Sequence, residues 1–167
     1  MKHVLPVMIV AAAIALAGCG SQPAKPAPAG STSKATSAAP QVMSFGQERQ
    51  GEHGTITVSK PTSFDLPADP ARPKDLTRGA KFDIKIVNST KTALNADAFA
   101  FSATVGSATA GLITDEKNRI GTKLQADILP SKDGQLTMAL ALPAKPSEVT
   151  VKIVFAKAKP LYWTGNI

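Results

Sequence analysis

From about Phe45 to Ile167 apolar side chains recur at every second position, and that period limits what the chain can become. Phe82, Ile84 and Ile86 alternate with Lys81, Asp83 and Lys85. Successive side chains of a strand point to opposite faces, so such a row predicts a strand with one buried and one wet face. Ile56 and Val58 alternate with Thr55 and Thr57, and Phe99, Phe101, Ala103 and Val105 form another row. Leu124, Ala126 and Ile128 alternate with Lys123, Gln125 and Asp127. Leu136, Met138, Leu140 and Leu142 share one face, as do Val149, Val151, Ile153 and Phe155. Breakers separate the rows: Pro61, the run Pro67 to Pro73, Asn88-Ser89-Thr90, Asp115 to Asn118, Pro130 to Gly134 and Pro143 to Pro146. No stretch keeps a 3.6-residue period over three turns; Asp97 to Phe101 has a local helical option, with β favoured. Six or seven short strands with turns between them predict an all-β, antiparallel β-sandwich. Strand order does not follow from the pattern, and no internal repeat is present.

Composition narrows the function classes. The chain has 167 residues, which is one ordinary domain with extensions and too short for a multidomain enzyme. Charged residues make up 19%, so neither a highly charged disordered chain nor a multi-span membrane protein fits. One Cys excludes an intramolecular disulfide and any Cys-based zinc or iron–sulfur site. Two His, one at position 3, leave little material for His-dependent catalysis.

The amino terminus reads as an address. Lys2 precedes the apolar run Val4 to Ala17, which is 14 residues long and interrupted by Pro6. A bilayer span needs about 20 residues, so this is the core of a signal peptide and not a membrane helix. Leu16-Ala17-Gly18-Cys19 follows, and it resembles the lipobox of bacterial lipoproteins. The resemblance implies cleavage after residue 18, lipidation of Cys19, and a chain held on the extracytoplasmic face of the cell membrane. Several acyl chains at about 0.8 kcal/mol per buried CH₂ make such an anchor durable. A secretory signal with a chance Cys is the other reading. A reactive catalytic thiol finds no activating surroundings in this sequence.

Residues 19–44 are expected to be a disordered linker behind that Cys. Gly20 to Val42 contains six Ala, four Pro and four Ser, with no acid and no aromatic residue. It has too little apolar surface to offset its ordering entropy. As a coil it would reach about 25 Å, and as an extended polyproline-like segment roughly 70 Å. Lys25 and Lys34 keep it soluble or touch an anionic surface. Residues 45–167 are expected to form the folded domain.

Three segments of that domain carry a second resemblance. Gly79-Ala80-Lys81-Phe82-Asp83-Ile84-Lys85-Ile86-Val87-Asn88-Ser89 resembles the Gly-led, Asn-ended strand of a DUF4352-type domain. Ile128-Leu129-Pro130, Gly134 and Leu136 to Pro143 are similar to that family's Pro–Gly–strand–Pro block. Pro160 to Gly165 is similar to the aromatic closing segment of actinobacterial lipoproteins of this kind. The resemblance implies an immunoglobulin-like β-sandwich attached to a cell envelope, and it brings no catalytic residues.

Candidate chemistry is sparse. His53 is the sole His of the domain, and a transition-metal site would need further soft ligands such as Met43. Met138 sits in an apolar row and reads as core; His53 reads as an exposed turn residue. Asp115, Glu116 and Asn118 offer oxygens in one loop and Asp65 and Asp69 in another, but calcium wants six to eight. Lys117 and Arg119 also oppose a cation there. No Gly-x-Ser-x-Gly is present, no pair of acids sits in an apolar context, and no phosphate loop exists. No metal or cofactor is therefore expected, and no enzymatic activity. Asn88 reads as a turn former.

Partner binding remains as the predicted role. From Phe45 onward 16 Lys+Arg face 12 acids, which favours an anionic envelope polymer or an acidic protein patch. The bases are spread among acids, so nucleic acid does not fit. Lys152, Lys157 and Lys159 either gather on the last strand and its exit or protect a sheet edge. Pro67 to Pro73 has Pro at every third position, which predicts polyproline II or a rigid loop. Tyr162 and Trp163 are candidate binding anchors, because exposed aromatic residues dominate hot spots; the other reading packs them into the sandwich. The expected function is a non-catalytic binding module for an envelope or extracellular partner. Its alternative is an extracytoplasmic small-ligand or metal-ion carrier using His53, Met43 or the Asp115–Glu116 loop.

Overall fold

A computed structural model of the chain describes residues 41–167, and eleven strands in two sheets account for most of them. In chain order these are β1 (Val42–Ser44), β2 (Glu48–Gly51), β3 (Gly54–Val58), β4 (Thr62–Phe64), β5 (Leu76–Asn88), β6 (Phe99–Val105), β7 (Ala108–Thr109), β8 (Gly111–Ile113), β9 (Asp133–Pro143), β10 (Glu148–Phe155) and β11 (Leu161–Asn166). The five-stranded sheet runs β1-β11-β10-β6-β7, and the six-stranded sheet β2-β3-β5-β9-β8 with β4 beside β5. Every pairing is antiparallel except β1 with β11. The molecule is the expected all-β sandwich.

The alternation at 81–86 becomes the middle of β5, the longest strand, paired with β9 from Leu76 to Val87. Phe82, Ile84 and Ile86 are buried against Met138, Leu140 and Leu142 of β9 and against Val149, Val151, Ile153 and Trp163 of the opposite sheet. The other edge of β5 is shared in sequence by β3 and β4. Pro61 has no N–H for the ladder, so pairing lapses between them. Ser59 bridges the lapse: its N–H donates to Asp83 O at 2.9 Å, and its Oγ accepts from Asp83 N–H at 2.9 Å.

Several expectations need correction. The sandwich includes Val42–Ser44, because Met43 is buried and β1 pairs with β11, so the last residues assigned to the linker are a strand. Leu124, Ala126 and Ile128 form no strand. Leu124 and Ile128 are buried while Ala126 is exposed, and the segment's main-chain ties are isolated, with Ile128 and Leu94 exchanging bonds of 2.9 Å. Of the two readings of Pro67 to Pro73, the loop is the one found: it is tied by a turn in which Arg72 N–H donates to Asp69 O at 3.2 Å and Arg72 Nη2 to Pro67 O at 2.6 Å. The local helical option near Asp97 is one 3₁₀ turn, Ala96–Ala98, before β6 begins.

Asn88 is more than a turn former. It is the fully buried polar residue among the described ones. Its Nδ2 donates to Thr92 O and Ile128 O, each at 2.8 Å, and its Oδ1 accepts from Thr90 N–H at 2.9 Å and Thr90 Oγ1 at 2.7 Å. One side chain thereby holds the end of β5, the loop after it and the loop before β9.

Candidate functional site

Among the described residues no three His, Cys, Asp or Glu side chains gather as a metal site. Met43 is buried in the core. Asp115 caps a 3₁₀ turn, Glu116–Asn118, and accepts from Asn118 N–H at 3.1 Å and Nδ2 at 2.7 Å. Those bonds from Asn118 hold its carboxyl below the usual carboxylate range. Asp69 instead accepts from Ala71 N–H at 2.9 Å. Cys19 and the lipidation assigned to it lie outside the described residues.

Two other features are shaped for contact. The first is the outer face of the five-stranded sheet. Cross-strand register places Ser44 beside Thr164, Thr164 beside Thr150, Thr150 beside Thr104 and Thr104 beside Thr109. One row of hydroxyls therefore crosses all five strands. Thr150 and Thr164 share a bond of 3.0 Å, and Thr164 also reaches Glu148 Oε1 at 3.0 Å. Ser44, Thr104 and Thr109 are exposed. The parallel row is Val42, Tyr162, Lys152 and Ser102, with Val42 54% exposed.

Tyr162 and Trp163, adjacent on β11, point to opposite faces. Tyr162 is half-buried on the outer one. Trp163 is fully buried, and its Nε1 donates to Gln47 O at 2.9 Å, so the reading of Trp163 as an exposed anchor is corrected. Lys152 lies on β10, paired on both sides, and so protects no edge. Lys157 and Lys159 occupy the connection from β10 to β11.

The second feature is an apolar socket between the sheets at the β2 edge, with a volume near 80 Å³. Ile86, Phe99, Phe155 and Leu161 form its floor, and Arg49, Gly51 and His53 form the side toward β2. His53 is not the exposed turn residue expected. It is half-buried, with its ring edge-on to Phe155 at a centroid distance of 4.7 Å. Arg49 stands opposite buried Ile56 and so shares the inward face of the sheet. Its Nε is buried with no hydrogen-bond partner among the described residues. Most buried donors are paired, so an orphan of this kind needs a reason.

The hydroxyl row and Arg49 escaped the sequence reading. Thr104, Thr150 and Thr164 each follow a core residue of their strand, but their alignment depends on register, which the pattern does not contain. Arg49 lies in a charged tetrapeptide with no apolar alternation.

The fold defines a two-sheet β-sandwich of a kind found in bacterial proteins. The yjhA protein from Bacillus subtilis superposes with a TM-score of 0.56 at 10% identity, over 72% of this chain and 97% of that one. A B. subtilis protein described as a "putative lipoprotein (ycdA)" has a TM-score of 0.56 at 16% identity, over 74% of this chain and 38% of that one. An uncharacterised β-sandwich protein from Clostridium difficile has a TM-score of 0.48 at 14% identity, over 75% and 94%. At these identities the likeness is one of fold. No family model matches the chain and no curated sequence does, so the DUF4352-type and actinobacterial resemblance rests on the quoted residues alone.

Proposed function

We propose that the chain is a lipid-anchored, non-catalytic binding module on the extracytoplasmic face of a bacterial membrane. The outer face of its five-stranded sheet holds a hydroxyl-rich, anionic envelope polymer. The observation that carries this reading is the row Ser44–Thr164–Thr150–Thr104–Thr109 beside Tyr162 and Lys152. Three of its hydroxyls are exposed, an aromatic ring adjoins them, and Lys152 supplies positive charge. Threonine also favours strands, and a Thr pair stabilises a sheet by about 0.2–1 kcal/mol. That accounts for Thr150 with Thr164 but not for the exposed ends of the row.

The anchor is supported by Leu16 to Cys19. The likeness to a protein described as a lipoprotein agrees with it. Among the described residues no helix is long and apolar enough to cross a membrane. A small-ligand carrier is less well supported, because ligand pockets are usually predominantly apolar and measure roughly 300–1,000 Å³: the apolar socket is far smaller, and the larger hollows, near 370, 390 and 630 Å³, have mixed polar and apolar linings.

The test uses the full-length protein and purified envelope polysaccharide from the source cell. Co-sedimentation should fall at least tenfold in the double variant Tyr162→Ala, Lys152→Glu with thermal stability retained. Unchanged co-sedimentation would remove the polymer reading.

A further inference from the structure

The socket and the strand above it belong together. β2 ends the six-stranded sheet, with β3 on one side and no strand among the described residues on the other. Gly51 and Gly54 flank the two-residue turn Glu52–His53, and Arg49 pairs with Ile56. Val58 O, two residues further, accepts from Gly46 N–H at 2.7 Å, so the even-numbered residues of β3 direct their main-chain groups toward β2. Antiparallel alternation then turns the N–H and C=O of Glu48 and Gln50 away from β3, to the open edge.

Inward-facing positions along this edge are Arg49 and Gly51, two residues apart. Gly51 has no side chain, and a Cβ built there meets nothing closer than Gly54 O at 3.7 Å, so the socket opens beside it. The volume, near 80 Å³, is about half that of a cavity that holds a benzene, so one short aliphatic side chain fits. Arg49 brings a guanidinium whose buried Nε lacks an acceptor, and it enters no ion pair among the described residues. An inward charge also discourages indiscriminate edge pairing. A specific strand would have to satisfy it.

We propose that β2 is a strand-addition site for an extended segment of a partner protein carrying a short aliphatic residue two positions before an acid. The segment runs antiparallel to β2. Its aliphatic side chain, opposite Gly51, enters the socket, its carboxylate meets Arg49, and the residue between pairs its main chain with Gln50. Main-chain bonds give affinity, and the alternate side chains give specificity. Glu52, at the turn, disfavours an acid placed nearer that end. This site is separate from the hydroxyl face and stands whether or not that face binds a polymer.

The probe is a labelled peptide, Thr-Val-Thr-Leu-Thr-Glu-Thr-Thr with blocked ends, titrated with full-length protein by fluorescence anisotropy. A control peptide has the Leu and Glu adjacent, which sends them to opposite faces. The spaced peptide should bind at least tenfold more tightly than the control. Three variants should each weaken it at least tenfold: Arg49→Ala removes the acceptor's partner, Gly51→Leu fills the socket from within, and Gln50→Pro deletes an outward N–H while leaving β3 paired. Thermal unfolding identifies any variant that fails to fold, and the remaining two then decide. Equal binding of the two peptides, or no binding at millimolar protein, overturns the proposal. So does self-association of the protein that Gln50→Pro abolishes, since that assigns the edge to a second copy of the chain.

Discussion

The two sheets present different outer surfaces to solvent. The strands of the five-stranded sheet carry two charged residues, Glu148 and Lys152, and a row of hydroxyls. Those of the six-stranded sheet turn Glu48, Lys81, Asp83, Lys85 and Asp133 outward. There Thr137 Oγ1 donates to Asp83 Oδ1 at 2.8 Å, and Lys85 lies 3.9 Å from Asp133. A charged face stays solvated and resists contact, whereas a face of hydroxyls with one aromatic ring loses less on desolvation and regains it when a partner supplies hydrogen bonds. The contrast extends to how each sheet is held. The five-stranded sheet relies on apolar packing around Trp163, and the six-stranded sheet on the polar clamp of Asn88 as well.

Removing the centre of each arrangement separates them. Trp163→Ala empties a fully buried volume and strands Gln47 O, and the expected loss is about 3–5 kcal/mol in urea unfolding. A loss below about 1 kcal/mol would mean that packing around Trp163 is not what holds the five-stranded sheet. Asn88→Ala removes one of two donors from both Ile128 O and Thr92 O, which keep Leu94 N–H and Thr90 Oγ1, and takes the Oδ1 acceptor from Thr90, so about 1–2 kcal/mol is expected. Asn88→Asp should be no better, because it loses the Nδ2 donors and buries a charge. A near-neutral Asn88→Asp would show that water reaches the site and that the clamp is not dry.

The same contrast explains which parts of the fold were legible. β5, β6, β9 and β10 alternate over seven or more residues, and their buried faces match the apolar rows. Residues 123–128 alternate equally well, yet no neighbouring strand offers a ladder, and pattern alone does not reveal partners. β1 and β2 were illegible for opposite reasons. Val42–Ser44 continues an Ala/Pro/Ser-rich stretch, and Glu48–Gly51 is polar throughout because a short edge strand has little to bury. Asn88 was singled out correctly as the end of a strand. Its burial was hidden because the atoms it satisfies, at Thr92 and Ile128, come from loops that converge only in the fold. Tyr162 and Trp163 show the limit of residue type: strand alternation decides which one is exposed, and that depends on the register of β11.

The smallest expected effect probes the charged sheet's border. Asp115 exchanges main-chain bonds of 2.9 Å with Ile120, which bridges to Thr137 of β9. Its carboxyl is held below its ordinary value by the hydrogen bonds from Asn118, so the ionised form is the one the fold favours. A lowered folded pKa contributes stability that is complete above pH 3.8 and lost as pH falls through the folded pKa. Because the bonds of Asp115 stay within one turn, the change should be local: amide protection at Asn118 and Ile120 declines as pH falls through the folded pKa, while that at Thr150 and Thr164 does not. Asp115→Asn should flatten the dependence at the turn. Equal decline across both sheets would instead tie the acid response to global unfolding, and the two faces would then differ in chemistry without differing in their response to pH.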